Sequence, residues 1–176
     1  MEEIAAIVSQ TLETAGIIAT LSGGGAVTIY SMNDYMSFDL DFVTSERNSI
    51  IADAIAPLGF HQVIRTRQFE HPDSEYYLEF PPGPLSFGET VILEQDMHLI
   101  HTDYGTLRIV TPTQSIMDRI AAYVHWTDNQ SFDQAIAIAR KNKIDWEALN
   151  KWSTKETIDP AVIERLKTHV NRGLSQ

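Results

Sequence analysis

Asp39 and Asp41 stand one residue apart in Phe38-Asp-Leu-Asp-Phe-Val-Thr44, and the residues between and beside them, Phe38, Leu40 and Phe42, are apolar. Strict alternation of this kind reads as a β-strand with one buried face, so both carboxylates leave the same side together. Like charges held side by side repel, and a core gains nothing from such a pair unless a cation lies between them. Oxygen donors in this arrangement suit a hard divalent ion such as Mg²⁺ or Mn²⁺. Upstream lies a second informative cluster, Leu21-Ser22-Gly23-Gly24-Gly25-Ala26, with thirteen residues separating Gly25 from Asp39. An apolar run, Ile17 to Leu21, stops there and a helical pattern, Ala26 to Tyr30, begins. Strand, glycine turn and helix start together, through Ser22, Gly23, Gly24 and Gly25, have the geometry that presents backbone N–H groups to an anion.

Gly24-Gly25, an interval of this length and Asp39-Leu40-Asp41-Phe42 resemble the defining motif of the nucleotidyltransferase superfamily, the DNA polymerase beta-like fold. Ser-Gly-Gly-Gly-Ala with Ser37-x-Asp-Leu-Asp is similar to a small prokaryotic branch related to abortive-infection toxin nucleotidyltransferases. The resemblance implies an α+β core with a mixed sheet, Mg²⁺ or Mn²⁺ held by Asp39 and Asp41, and a nucleoside triphosphate as substrate. It also implies a third carboxylate on a neighbouring strand. Glu79, on the alternating run Glu75 to Phe80, is the candidate, and a solvated strand glutamate is the alternative. Ser37 could hydrogen-bond a phosphate or orient Asp39, or simply bond backbone at a strand start.

A third motif runs from Ile116 through Asp118-Arg119 to His125-Trp-Thr-Asp128 and Gln134-Ala135. It resembles the C-terminal helical signature of the same branch. Related toxins carry a nucleotide-binding lysine on this helix; here that lysine is absent and Arg119 is the available cation. Two readings follow for Arg119, a phosphate contact or a surface ion pair. His125 and Asp128 read as a hydrogen-bonded helix end rather than a metal pair. Arg65 and Arg67 fall on one face of an expected strand, Phe60 to Arg67, facing either phosphates or solvent.

The elements that must position these groups can be read around them. Residues 2–15 carry helical apolar spacing closed by Gly16. Ser45-Glu46-Arg47 is expected to open a helix that Pro57 and Gly59 end. Short β-rich runs fill the stretch from Phe60 to Val110, and Pro81-Pro82-Gly83-Pro84 forces a rigid exit that shapes a pocket rim. Thr111-Pro112-Thr113-Gln114 is a capping box with proline at the first helical position, and helices follow over Ser131 to Lys141, Trp146 to Trp152 and Pro160 to Val170. The expected organisation is a nucleotidyltransferase core, 1–110, and a helical C-terminal subdomain, 111–176, packed on it.

Composition narrows the function classes. The chain has 176 residues and 43% hydrophobic content, enough for one compact unit. There is no cysteine, so thiolate metal sites and Cys–His catalysis are excluded. A net charge of -11 argues against broad nucleic-acid binding and favours a small triphosphate with its metal, or a basic protein partner. No apolar run or leader points to a membrane or to secretion, so the expected location is cytoplasmic. The expectation is therefore metal-dependent transfer of a nucleoside monophosphate to an acceptor hydroxyl on RNA, protein or a small molecule, as in the toxin of a toxin–antitoxin pair. A catalytically silent binding or antitoxin-like subunit and a metal-dependent phosphohydrolase are the alternatives.

Overall fold

A computed structural model describes residues 1–173 as helices packed on a mixed seven-stranded sheet. Helix α1 (Glu2–Thr14) leads into β1 (Thr20–Ser22), α2 (Gly23–Tyr30), β2 (Asp39–Val43) and α3 (Asn48–Ile55). Six strands follow: β3 (His61–Gln62), β4 (Gln68–Glu70), β5 (Tyr77–Glu79), β6 (Ser86–Phe87) and β7 (Thr90–Val91), then β8 (His98–Thr102). After β9 (Gly105–Ile109) come α4 (Pro112–Trp126), α5 (Asn129–Lys141), α6 (Trp146–Lys155) and α7 (Pro160–Gly173). The sheet runs β3-β4-β5-β2-β1-β9-β8, and β6-β7 is a separate hairpin. Strands β2 and β5 are parallel neighbours, as are β1 and β9, whereas β1 and β2 are antiparallel.

The apolar side of the central strands drives assembly. Leu21 sits across from Phe42 and Ile109, and Leu78 lies between Leu40 and Phe69. All six side chains are fully buried. Phe80 adds an edge contact to Phe69 at 5.3 Å between ring centres and a stacked one to Phe42 at 6.1 Å. Each such side chain contributes about 1.5–3 kcal/mol on leaving water, enough to oppose the cost of a charged opposite face. Where β1 has ended, α1 satisfies the open edge of β9: Thr106 N–H donates to Gln10 Oε1 at 2.9 Å and Arg108 N–H to Ser9 Oγ at 2.9 Å.

Several local expectations change. The stretch from Phe60 to Arg67 is not one strand: β3 ends at Gln62 and a turn follows, with Arg65 at a φ of 64°. Arg65 and Arg67 therefore form no ladder. Arg67 donates through Nε to the Phe80 carbonyl and through Nη2 to that of Glu46 at 3.2 Å, pinning the end of β5 to the loop after β2. Helix α3 begins at Asn48 rather than at Ser45, and Thr44, just before, is tied to the proline segment by a parallel bridge to Pro82 and hydrogen bonds with Pro81 and Gly83. The first strand is Thr20–Ser22, shorter than the apolar run, with Ile18 half exposed.

The helices after β9 share one continuous apolar core with the sheet, and α4 and α5 both pack on α2. Residues 174–176 of the expected C-terminal subdomain lie outside the described residues. No helix among the described residues is long and apolar enough to cross a membrane. The capping box is formed as read: Thr111 Oγ1 accepts from Gln114 N–H at 3.1 Å, and Gln114 Oε1 accepts from Thr111 N–H at 2.7 Å. Thr111→Ala is expected to cost about 1 kcal/mol in urea unfolding, because it orphans an amide at the start of α4.

Candidate active site

Register brings the acidic residues together. Asp41 is paired with Ser22 on one side and with Glu79 on the other, and Glu79 in turn with Gln68. Paired positions send side chains to the same face, so Ser22, Asp41 and Glu79 form a row across three strands. Asp39 stands in the next row beside Tyr77. The register thus sets Glu79 directly beside Asp41 on that face.

The three glycines close this row from the side, each for a steric reason. Gly23 has a φ of +57°, and a Cβ there would run into the Asp41 carboxylate. A Cβ on Gly24 would lie 2.6 Å from Ser37 Oγ and 3.4 Å from Asp39 Oδ1. On Gly25 it would crowd Leu21 and Leu40 at 3.1 Å each. Backbone thus comes close to Asp41 and to Ser37, and α2 starts there. Ser22 occupies the N-cap, yet its side chain makes no capping hydrogen bond. Ser37 Oγ donates to Asp39 Oδ1, while its own N–H is held by Thr28 Oγ1 at 3.0 Å. Of the two readings for Ser37, the one that orients Asp39 is the contact observed.

Electrostatics single out Asp41. Its pKa is pushed from the ordinary 3.8 up to about 7, first by burial, then by the charges of Asp39, Glu79 and Asp118, with Arg119 pulling the other way. The Tyr77 phenol is raised too, by burial and then by the charges of Asp39, Glu79 and Asp41. The face carries more negative charge than its own cations neutralise. Asp118 was not singled out in the sequence, and its one signal is its place beside Arg119 on the helix that packs over α2.

Arg119 is held by that neighbour. Its Nη2 and Nε lie 2.5 and 3.2 Å from Asp118 Oδ2, and Nη1 donates to Gln134 Oε1 at 3.2 Å. Lys141, at the end of α5, is occupied elsewhere, bonding the Ser31 carbonyl at 2.6 Å and Asp34 at 2.5 Å. Asp128 caps α5, accepting from Gln130 N–H at 3.1 Å and from Ser131 Oγ at 2.6 Å, and the Ser131 bond heads the influences that lower its pKa. His125, in the last turn of α4, is exposed.

Whether the donors suit a divalent ion can be judged from their chemistry. No group of three His, Cys, Asp or Glu side chains among the described residues forms a ready-made metal cage. Mg²⁺ does not require one: it keeps waters and takes one or two carboxylates together with substrate phosphates. Two aspartates on one face, under-compensated and facing a side-chain-free bend, fit that mode of binding.

The architecture has solved counterparts. The chain resembles the crystal structure of ANT(2'')-Ia in complex with adenylyl-2''-tobramycin, with a TM-score of 0.51 at 12% identity over 97% of this chain and 96% of the other. The two chains share a fold. A solution structure of the antibiotic-resistance factor ANT(2'')-Ia aligns over 96% of this chain and 90% of the other, with a TM-score of 0.48 and 11% identity. No protein-family model matches the sequence, and no curated protein does either.

Two outcomes are expected from this geometry. Gly23→Ala places a methyl against Asp41 in a left-handed backbone and should cost about 1 kcal/mol or more, measured by thermal unfolding. The folded protein also binds the Asp41 proton more tightly than the unfolded chain does. This stabilisation is complete below pH 3.8 and is lost as pH rises through about 7. At about 1.4 kcal/mol per unit, with a discount for residual exposure, the loss is on the order of 2–4 kcal/mol. Asp41→Asn should flatten that part of the metal-free pH–stability curve, and millimolar Mg²⁺ should flatten it in the wild type alone.

Proposed function

We propose that the chain is a metal-dependent nucleotidyltransferase that moves a nucleoside monophosphate from a triphosphate to an acceptor hydroxyl. The observation that carries this reading is the row Ser22–Asp41–Glu79, with Asp39 beside it, set against a glycine bend that excludes side chains. In this reading Asp39 and Asp41 hold Mg²⁺ or Mn²⁺ with help from Glu79. The bound ion supplies charge neutralisation for the triphosphate and its leaving pyrophosphate. Backbone N–H groups from Gly23 to Gly25, with the Ser22 hydroxyl, receive the phosphate tail. Ser37 keeps Asp39 turned to the site, and Arg119, already fixed by Asp118 and Gln134, lends positive charge to the phosphates. The acceptor hydroxyl oxygen bonds to the α-phosphorus as the bond to the bridging oxygen breaks and pyrophosphate departs. The hydroxyl proton passes to a carboxylate of the Asp41–Glu79 row.

The fold neighbour's complex with adenylyl-2''-tobramycin supports transfer to a hydroxyl of a small acceptor. The resemblance to abortive-infection toxins supports a toxin's place in a toxin–antitoxin pair. The overall acidity favours a basic protein as the partner, with the cytoplasm as the setting. A second reading, a silent binding subunit, is favoured by one observation: the Arg119 fork is spent on Asp118 and Gln134.

Incubation with α-labelled triphosphates and Mg²⁺ or Mn²⁺ separates the two readings. Labelled product and pyrophosphate should form, and the Asp39→Ala, Asp41→Ala double variant should lose at least about a thousandfold in rate. Calorimetry should show triphosphate binding that requires the metal. Its absence would leave the silent subunit as the correct reading.

A further inference from the structure

The two ends of the seven-stranded sheet differ in kind. At one end stands β3, two residues long, and the chain leaves it through the left-handed turn at Arg65. At the other stands β8, whose five residues all pair with β9, from His98 opposite Ile109 to Thr102 opposite Gly105. An antiparallel strand with a single neighbour turns the N–H and C=O of every second residue outward. Among the described residues, no element other than β9 hydrogen-bonds the main chain of β8. Where β9 outruns β1, by contrast, Gln10 and Ser9 of α1 meet its spare amides. One open edge is closed and the other is not.

The residues of β8 give this edge no defence against pairing. Edge strands are ordinarily blunted by charge, proline, a bulge or shortness. His98-Leu-Ile-His-Thr102 has no Lys, Arg, Asp, Glu or Pro, in a chain that carries 24 acidic residues. Leu99 on it is 41% exposed. The strand is also held in place: His101 Nδ1 lies 3.1 Å from Thr106 Oγ1, and His98 Nδ1 lies 3.3 Å from the Tyr30 hydroxyl. A strand ordered in advance loses little freedom when another is added to it.

Only an extended strand satisfies such an edge, and β8 suits its own copy. A net charge of -11 sets two copies of this chain against each other wherever acids meet, and within β8 there are none. Antiparallel pairing about an axis at Ile100 sets Ile100 against the second copy's Ile100, and Leu99 against the second copy's His101. Ile100 is opposite the buried Leu107 on β9, so its self-pair prolongs the apolar face of the sheet. Leu99 and His101, opposite Arg108 and Thr106, pair on the other face.

We propose that β8 is a self-association edge, through which two copies of this chain join their sheets in an antiparallel register centred on Ile100. The two-fold axis stands perpendicular to the joined sheet, so both carboxylate rows face the same side. Three strand-to-strand steps in each copy and one between them, each about 4.8 Å, set the two Asp41 residues about 34 Å apart across the sheet. Each row is complete within its own copy, so the association stands apart from the nucleotidyl-transfer reading.

Sedimentation of the full chain should show a monomer–dimer equilibrium, and Leu99→Lys with His101→Lys should raise its Kd at least about tenfold. Val91→Lys, at another half-exposed apolar position on the β6–β7 hairpin, should leave the Kd unchanged. Circular dichroism should show the variants folded. Because the chain has no cysteine, Ile100→Cys should give a disulfide-linked dimer under mild oxidation, and Val91→Cys should not. In the wild type, amide exchange in β8 should slow as protein concentration rises, while exchange in β3 stays constant. A chain that remains monomeric at its highest soluble concentration leaves the edge to a strand of another protein and overturns self-pairing. A dimer that withstands both lysines, cross-linking of Val91→Cys as efficient as that of Ile100→Cys, or a dimer without protection of β8 overturns it as well.

Discussion

Carboxylate crowding is the constraint to which the rest of the chain answers. Asp39, Asp41 and Glu79 are driven to one face by the pairing of β2 with β5, and the pKa of Asp41 records the cost. Nothing on that face relieves the repulsion fully; Arg119 acts only partially and is shared with Asp118. What holds the arrangement is the reverse side of the same strands, where Leu40, Phe42, Leu78 and Phe80 are fully buried. A strand cannot turn its charged residues outward without withdrawing its apolar ones, since a slip of one residue exchanges the faces. The core thereby enforces the site.

The glycine bend adds direction to that charge. Because Gly23 and Gly24 meet Asp41 and Ser37 with no room for a Cβ, one end of the row is walled by backbone alone. The opposite end, towards Val43, is bordered by Pro84, by apolar side chains and by Glu46 and Glu94. A polyanion is suited to the first end and not to the second. Helix α4 enters from above α2, and its cap fixes where Asp118 and Arg119 begin to act on Asp41.

Much of this was legible because it follows from period and local chemistry. Alternation around Asp39 and Asp41, glycines at the strand-to-helix turn and the Thr111 capping box each depend on a few adjacent residues, and each has the expected form. The step from Glu79 to the aspartates required a pairing between strands far apart in the chain, and the family resemblance supplied it. Other features left no local trace. Arg65 adopts a left-handed conformation without being glycine or asparagine, so the turn that splits β3 from β4 was hidden inside a β-rich run. Arg67 looked like a surface cation because its two carbonyl partners lie at Phe80 and Glu46. The bridge between Thr44 and Pro82 joins segments far apart in the chain, which no spacing rule encodes.

The hairpin β6–β7 is held from far along the chain. Glu156, just past α6, accepts from Glu89 N–H at 2.8 Å and from the Thr90 hydroxyl, and Trp152 Nε1 donates to the Phe87 carbonyl at 3.1 Å. Gly88 leaves the space that the Glu156 carboxylate fills. A ribosome releasing this polypeptide from its N-terminus therefore delivers the acidic strands long before the residues that clasp the hairpin. The hairpin's clasp lies in residues made well after the strands it flanks, and Glu156 must be synthesised before it can close.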